Sequence, residues 1–269
     1  LKIIIGGEDG KMVVRKVITL LTDFGDFYPG VMKGVILRIC HGIKIVDITH
    51  TIEPQNVLQA AFLLSNYYSF FEDSVHLAVV DPEVGSGREG LIVEVGGDVF
   101  IAPNNGILTT IVKKANKMKI WKIDESRTSK VTGTLSTTFH GRDVFAVAAA
   151  FAAMNKIEEV AEPFKGKVVR LSVFNPKIEG NKIRCNAVYI DRFGNVVTDL
   201  KKEIIERLNP KGFYIKETYF PLVEKYVDVG LNEPLSLIGS FGTLEFSVRN
   251  GNASKRFGIK SGELEVVLS

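Results

Sequence analysis

The hydrophobic pattern changes period once along this 269-residue chain, and that change limits the folds open to it. Up to about residue 163, strand-like apolar runs alternate with runs at helical spacing. VITLLT (17–22) precedes VMKGVILRIC, and IKIVDIT (43–49) precedes NVLQAAFLLSNYYSFF. Asn56 opens that second helix, in which Val57, Ala60, Ala61, Leu64 and Tyr68 share one face. VHLAVVD (75–81) is a third buried strand. Strand–helix–strand units of this length predict a mostly parallel sheet with helices on its faces. LIVEV (91–95) and VFIA (99–102) flank a Gly-Gly-Asp turn and add a hairpin. ILTTIVKKA (107–115) reads as a helix, KIWKI (119–123) as a strand and GRDVFAVAAAFAAM (141–154) as a long Ala-rich helix.

From Val168 onward the period is two. VVRLSVF, KIRCNAVYI, NVVTDL, FYIKETYF, EPLSLIG, TLEFSVR and ELEVVL are separated by Gly, Asn, Pro and Lys clusters, as in a small antiparallel barrel or sandwich. The fold class expected is therefore α/β, an N-terminal α/β domain over 15–166, a linker over 167–178 and a smaller antiparallel β-barrel over 179–269. The content of 45% hydrophobic and 24% charged residues supplies a core for both. A formal net charge of +3 disfavours a nucleic-acid binder. Cys40 and Cys185 have no CxxC spacing, and His41, His50, His76 and His140 have none that suits zinc, so no metal site is expected. No apolar run is long enough for a membrane span. The opening LKIIIGGEDGKM is too short for a signal h-region, Met12 is a candidate natural start, and a cytoplasmic location is expected.

Several motifs imitate known chemistry. Asp23-Phe24-Gly25 and His140-Gly141-Arg142-Asp143 suggest a protein kinase, but they occur in the reverse order and no Gly-rich loop opens the chain. Gly85-Ser86-Gly87-Arg88-Glu89-Gly90 fits GxGxxG, yet a strand follows it where a dinucleotide site needs a helix. Its glycines are better read as a loop that lets backbone approach a ligand. Asp23 and Asp81 both end strand-like runs. At the carboxyl edge of a parallel sheet, with Arg88 seven residues beyond Asp81, they mark a site more convincingly than either would alone. His140 stands at a helix start, where histidine is not a favoured cap, and so leans towards function. Asp143 is explained by the helix dipole and is left structural. Asn104 or Asn105 is expected to cap the helix after APNNG. Asp191-Arg192-Phe193-Gly194-Asn195 and Asn250-Gly251-Asn252 are turns that turn chemistry alone accounts for. Tyr67, Tyr68, Phe70 and Phe71 are expected in the core.

In combination, TDFG, HTIEPQNV (50–57), DPEVGSGRE, IAPNNGILT, FHGRDVFA, DRFGN and GSFGTLEFSV occur in the order seen in one family. From about Val17 to the C-terminus the chain resembles the S-adenosylmethionine (SAM) hydroxide adenosyltransferases, relatives of the SAM-dependent fluorinase and chlorinase. The resemblance implies an α/β domain joined to a β-barrel, and the splitting of SAM with water into adenosine and methionine. It implies a catalytic triad of Asp81, Arg88 and His140, with Asp23 gripping the ribose. Asp191, Asn195, Ser240, Glu245, Val248 and Asn252 fall on the family's adenosine and methionine contacts. It further implies SAM as substrate with no cofactor, and a homotrimer with sites between subunits. Two aromatic places of the fluorinase hold Gln55 and Val197 here.

Three rival readings remain open to the sequence. Halide transfer to the same carbon is disfavoured because Asp81 and His140 are intact, Gly141 takes the place of a halide-binding serine, and no long insertion precedes VFIAPNNG. The others are a non-catalytic SAM or adenosine sensor and a nucleoside hydrolase.

Overall fold

The computed structural model describes residue 15 and residues 17–269. The opening LKIIIGGEDGKM stretch, with Met12, lies outside the described residues. The chain divides between Leu171 and Ser172 into two compact units.

The first unit carries β1 (Val17–Thr22), α1 (Phe27–Ile39), β2 (Lys44–Thr49), α2 (Val57–Tyr67), β3 (Val75–Val79), β4 (Gly90–Val95) and β5 (Asp98–Pro103). It continues with α3 (Thr109–Lys114), β6 (Lys119–Ile123), α4 (Glu125–Thr132), α5 (Ala146–Ala153) and β7 (Ala161–Pro163). Its sheet has the order β2-β1-β3-β5-β4-β6-β7. β2, β1, β3 and β5 run parallel, and the β4–β5 hairpin adds an antiparallel extension through β6 and β7. Both faces are covered at the centre of the sheet, which is why β1, β3 and β5 read as continuous apolar runs. On one face Ile18, Leu20, Leu77 and Ile101 meet Met32 and Ile36 of α1 and the alanines of α5. On the other, Leu21, Ala78, Phe100 and Ala102 meet Ala60 and Leu64 of α2 and Ile111 of α3. α5 is buried almost all round, and alanine lets it approach the sheet closely.

The second unit is an antiparallel sheet: β8 (Lys177–Glu179), β9 (Lys182–Ile190), β10 (Val196–Lys201), β11 (Gly212–Ile215), β12 (Thr218–Pro221), β13 (Pro234–Ile238), β14 (Thr243–Val248) and β15 (Gly262–Leu268). The strand order is β12-β11-β15-β9-β10-β14-β13, with β8 beside β9. Its two ends approach each other: Leu222 bridges Ser236, and Val223 N–H donates to the Ser236 carbonyl at 2.9 Å. The sheet therefore nearly closes into a barrel, as expected. Phe213, Phe220 and Phe246 fill it. Two short helices, α6 (Lys202–Leu208) and α7 (Ala253–Phe257), interrupt the expected succession of strands and turns.

Some local expectations need correction. VVRLSVF forms no strand. Its backbone groups are taken by side chains, Asn104 bonding Lys167 O and Val169 N at 3.1 and 2.9 Å, and Thr109 bonding Leu171 N at 2.8 Å. For the same reason neither asparagine caps α3; Asn105 donates to the Val80 carbonyl at 2.8 Å instead. Phe70 is 82% exposed, whereas Tyr67, Tyr68 and Phe71 pack around the buried His76. The polar α4 lacked an apolar period and was not legible as a helix, although Asp124 caps it by accepting from Ser126 N and Arg127 N. Asn56 caps α2 as expected, accepting from Gln59 N at 2.9 Å.

Candidate active site

β1 and β3 are neighbours in parallel register, Thr22 beside Val79, so Asp23 and Asp81 emerge together at the carboxyl edge of the sheet. Asp23 accepts from the Gln55 N–H at 2.8 Å. Burial pushes its carboxyl above the usual range against that bond, and the charge of Asp81 adds to the rise. Gln55 holds this place with a left-handed backbone (φ 67°), a conformation uncommon for a residue with a side chain.

After Asp81 the chain turns through Gly85 (φ 79°), where a Cβ would lie 2.5 Å from the Thr137 carbonyl oxygen. The close approach the glycines permit is thus made to the segment before His140. It returns Arg88 to Asp81. Arg88 Nε donates to Asp81 Oδ1 and Oδ2 at 2.9 and 3.0 Å, and Nη2 also bonds Oδ2. The second Nη2 hydrogen faces His140 Nδ1 at 3.1 Å. The three side chains are between 4 and 5% exposed. A guanidinium has five N–H donors and no acceptor. Three are spent here, and the two on Nη1 are buried with no hydrogen-bond partner among the described residues. The ring of Phe145 lies 5.1 Å beneath the guanidinium carbon.

His140 precedes a π-helical turn, Gly141–Phe145, that leads into α5, and it makes no capping bond. Such turns are rare and recur at functional sites. A Cβ on Gly141 would lie 2.8 Å from Phe24 and 3.1 Å from Phe139, so glycine lets the DFG segment and the His140 turn meet. Asp143 is wholly buried and organises the loop before His140. It accepts from Ser136 N at 2.8 Å and Thr134 Oγ1 at 3.2 Å, and pairs with Arg142. Burial would raise its pKa, but these bonds, Arg142 foremost, hold it below the usual range. Its role is structural, through loop bonding more than through the helix dipole.

The sequence reasoning missed Glu125. At the first position of α4, its carboxylate lies 3.6 Å from His140 Nδ1. It lines a cleft of about 410 Å³ together with Arg88, Glu89, Lys122 and Glu162. A lone glutamate in a polar stretch carries no sequence signal of this.

In the second unit, Asp191, Asn195 and Asn252 meet at the 191–195 turn. Asp191 accepts from Phe193 N, Asn195 N and Asn195 Nδ2, each at 2.9 Å. Asn252 caps α7 and sits against Gly194, where any Cβ would overlap its amide. Turn chemistry therefore does explain these residues, as read from sequence. Glu245 is 6% exposed and accepts from Tyr226 and Ser247 at 2.5 and 2.8 Å. Burial and that bond push the Tyr226 hydroxyl up, and Asp191 is near enough to add to the shift. Ser240 is exposed in the turn between β13 and β14, and the Val248 side chain belongs to the barrel core. Tyr226 was not singled out from sequence.

Residues 18–161 match the family model for the SAM hydroxide adenosyltransferase N-terminal domain, and residues 185–265 that for its C-terminal domain. The chain is 36% identical to the (R)-S-adenosyl-L-methionine hydrolase of Methanocaldococcus jannaschii, over 94% of this chain and 97% of that one. It is 29% identical to a protein of the same name from Thermus thermophilus, over 91% and 96%. A fluorinase of Actinoplanes sp. is 24% identical over 91% and 95%. A crystal structure of an uncharacterized conserved protein from Thermotoga maritima superposes with a TM-score of 0.82 at 32% identity, covering 93% of this chain and 99% of that one.

Proposed function

The chain belongs to the SAM hydroxide adenosyltransferase family, and on that footing we propose that it hydrolyses S-adenosyl-L-methionine to adenosine and L-methionine, with Asp81, Arg88 and His140 acting on the water. The observation that supports these roles is the buried Arg88, which is oriented by Asp81, faces His140 and keeps the two Nη1 donors unspent.

The chemistry suits that arrangement. The sulfonium already carries its leaving group, a neutral thioether, so neither a general acid nor a metal is called for. Water attacks the ribose 5′-carbon in line with the C–S bond. The C–O bond forms, the C–S pair departs on sulfur, and one proton is released. Water is the weak partner, and fixing it in line can supply much of the acceleration. Arg88 stays protonated and cannot be the base, but its Nη1 donors stabilise charge building on the attacking oxygen. Asp81 is held by its paired bonds to Arg88 and histidine is the commonest general base, so we take His140 as the acceptor, its Nδ1 lone pair being freed when Arg88 turns from the ring.

In this reading Asp23 holds the ribose, and Asp191, Asn195, Ser240, Glu245, Val248 and Asn252 contact adenosine and methionine. SAM is the substrate, no cofactor is used, and neither nucleic acid nor membrane is a partner. The proposal extends to a cytoplasmic homotrimer whose sites are shared between subunits.

Halide transfer is the nearest rival, and the negative Asp81 beside the attack line would repel a halide. Turnover in oxygen-18 water is expected to place the label on the adenosine 5′-hydroxyl, read by mass spectrometry. A halogenated nucleoside when halide is supplied, free adenine, or SAM recovered intact would each overturn the hydrolase reading.

A further inference from the structure

We propose that Glu125 is the proton exit of this site, receiving from His140 Nδ1 the proton that each hydrolysis releases and passing it to solvent through the cleft. The inference rests on the proposed hydrolysis.

A sulfonium and a water become a thioether, an alcohol and one H⁺, so every turnover leaves a proton in the site. Asp81, Arg88 and His140 are too deeply buried to hand it to solvent themselves. Arg88 has no acceptor, so its contact with His140 exists only when Nδ1 presents a lone pair and the ring hydrogen is on Nε2. Nδ1 is then the one imidazole position that can take a proton. Once it does, it can no longer accept from Arg88, and the imidazolium needs an acceptor on that same side.

Glu125 is that acceptor. The charged groups lining the adjoining cleft are Arg88, Glu89, Lys122, Asp124, Glu125 and Glu162. Arg142 and Asp143, on the histidine's own turn, pair with each other. Glu89 accepts from Asn104, and Asp124 is engaged in capping α4. Among the described residues, Glu125 alone brings a carboxylate within 4 Å of a His140 nitrogen, at 3.6 Å. That separation is just beyond hydrogen-bond reach, and a small rotation of the part-exposed Glu125 side chain would close it. Its side chain is 37% exposed while that of His140 is 5% exposed, so it spans the step from buried triad to solvent. The helix that carries it is fixed, because Arg127 donates to the Glu158 and Ala161 carbonyls at 3.1 and 3.3 Å. The sequence of events is balanced. Arg88 turns from the ring and frees the Nδ1 lone pair, the water proton moves to His140 Nδ1 as the C–O bond forms, Nδ1 gives that proton to the Glu125 carboxylate, and solvent removes it.

Glu125 is thus a positioning and relay residue, and its removal is read by the split between kcat and KM. Steady-state SAM hydrolysis by Glu125→Gln and Glu125→Ala is expected to show kcat reduced by roughly tenfold or more, the lower end of a proton-transfer partner's contribution. KM for SAM should change little. Acetate added to Glu125→Ala should raise kcat, because a small carboxylate fits the space left in the cleft, and Glu125→Asp should recover part of the loss. An active wild type with both variants at wild-type kcat, or with losses carried in KM and no response to acetate, overturns this inference alone. A wild-type protein that forms no adenosine overturns the proposed hydrolysis and this inference with it.

Discussion

Two histidines in the first unit show how surroundings decide what one residue type does. His140 has both Arg88 and Glu125 beside its Nδ1, so each of its protonation states has a partner within the site. His76 has none. It is wholly buried, stacked on Phe100 at 4.9 Å and bonded through Nδ1 to Thr19 at 3.0 Å, with Nε2 left without a hydrogen-bond partner. Burial lowers its pKa from 6.5 to about 4. The unfolded chain therefore binds more protons than the fold between those values. The stability that a neutral His76 permits is fully present above pH 6.5 and is lost as the pH falls towards about 4, up to roughly 3 kcal/mol. Urea titrations at pH 7 and pH 4.5 are expected to show a smaller acid loss for His76→Gln, which keeps a partner for Thr19 but does not titrate. Equal losses in the two proteins would mean that other groups, such as the low-pKa Asp143, account for the acid sensitivity.

At the scale of elements, the candidate triad exists because three irregular segments meet at one sheet edge. The turn after β1 brings Phe24, the loop between β3 and β4 brings Arg88, and the π-helical turn before α5 brings His140. Gly85 and Gly141 are the two contacts at which a side chain would force these segments apart. For Gly141→Ala the new methyl would meet Phe24 at 2.8 Å and Phe139 at 3.1 Å, contacts that rigid aromatic rings in a packed cluster cannot easily relieve. We expect a loss of about 1–3 kcal/mol, the range for overpacking. Turnover should fall further than that loss implies, because the displaced turn carries His140. Chemical denaturation alongside steady-state kinetics on the folded variant checks this. Unchanged stability and turnover would show that the turn tolerates a side chain and does not set the histidine's position.

At the scale of the molecule, the candidate residues fall in two groups. Asp23, Asp81, Arg88 and His140 belong to the first compact unit; Asp191, Asn195, Ser240, Glu245, Val248 and Asn252 belong to the second. The proposed trimer completes each site from two subunits, and pockets at interfaces are common. An inactive His140→Ala chain mixed with an inactive Asn195→Ala chain is then expected to recover part of the activity. Interfaces that pair an intact first unit with an intact second unit would each form one working site. Subunit exchange must be followed separately with differently tagged chains. Demonstrated exchange with no recovered activity would mean that each chain builds its site alone.

The sequence by itself determined the two-part architecture, because burial on both faces of a parallel sheet and the period-two pattern of a barrel leave opposite signatures in the order of apolar residues. VITLLT and KIWKI correspond residue for residue to β1 and β6, and KIRCNAVYI to β9. The ordered motifs determined the family and, residue by residue, the candidates. VVRLSVF has a strand's pattern but spends its backbone bonds on Asn104 and Thr109, partners more than sixty residues away. The polar α4 is decided by an aspartate cap and by docking, neither of which has an apolar period. Only the tertiary structure could make Arg88 a fully oriented donor with two hydrogens to spare and bring Glu125 beside His140. Those relations are distances between segments far apart in the chain. Local composition carries the energy of burial, but it holds no record of which buried polar groups will face one another once the segments close.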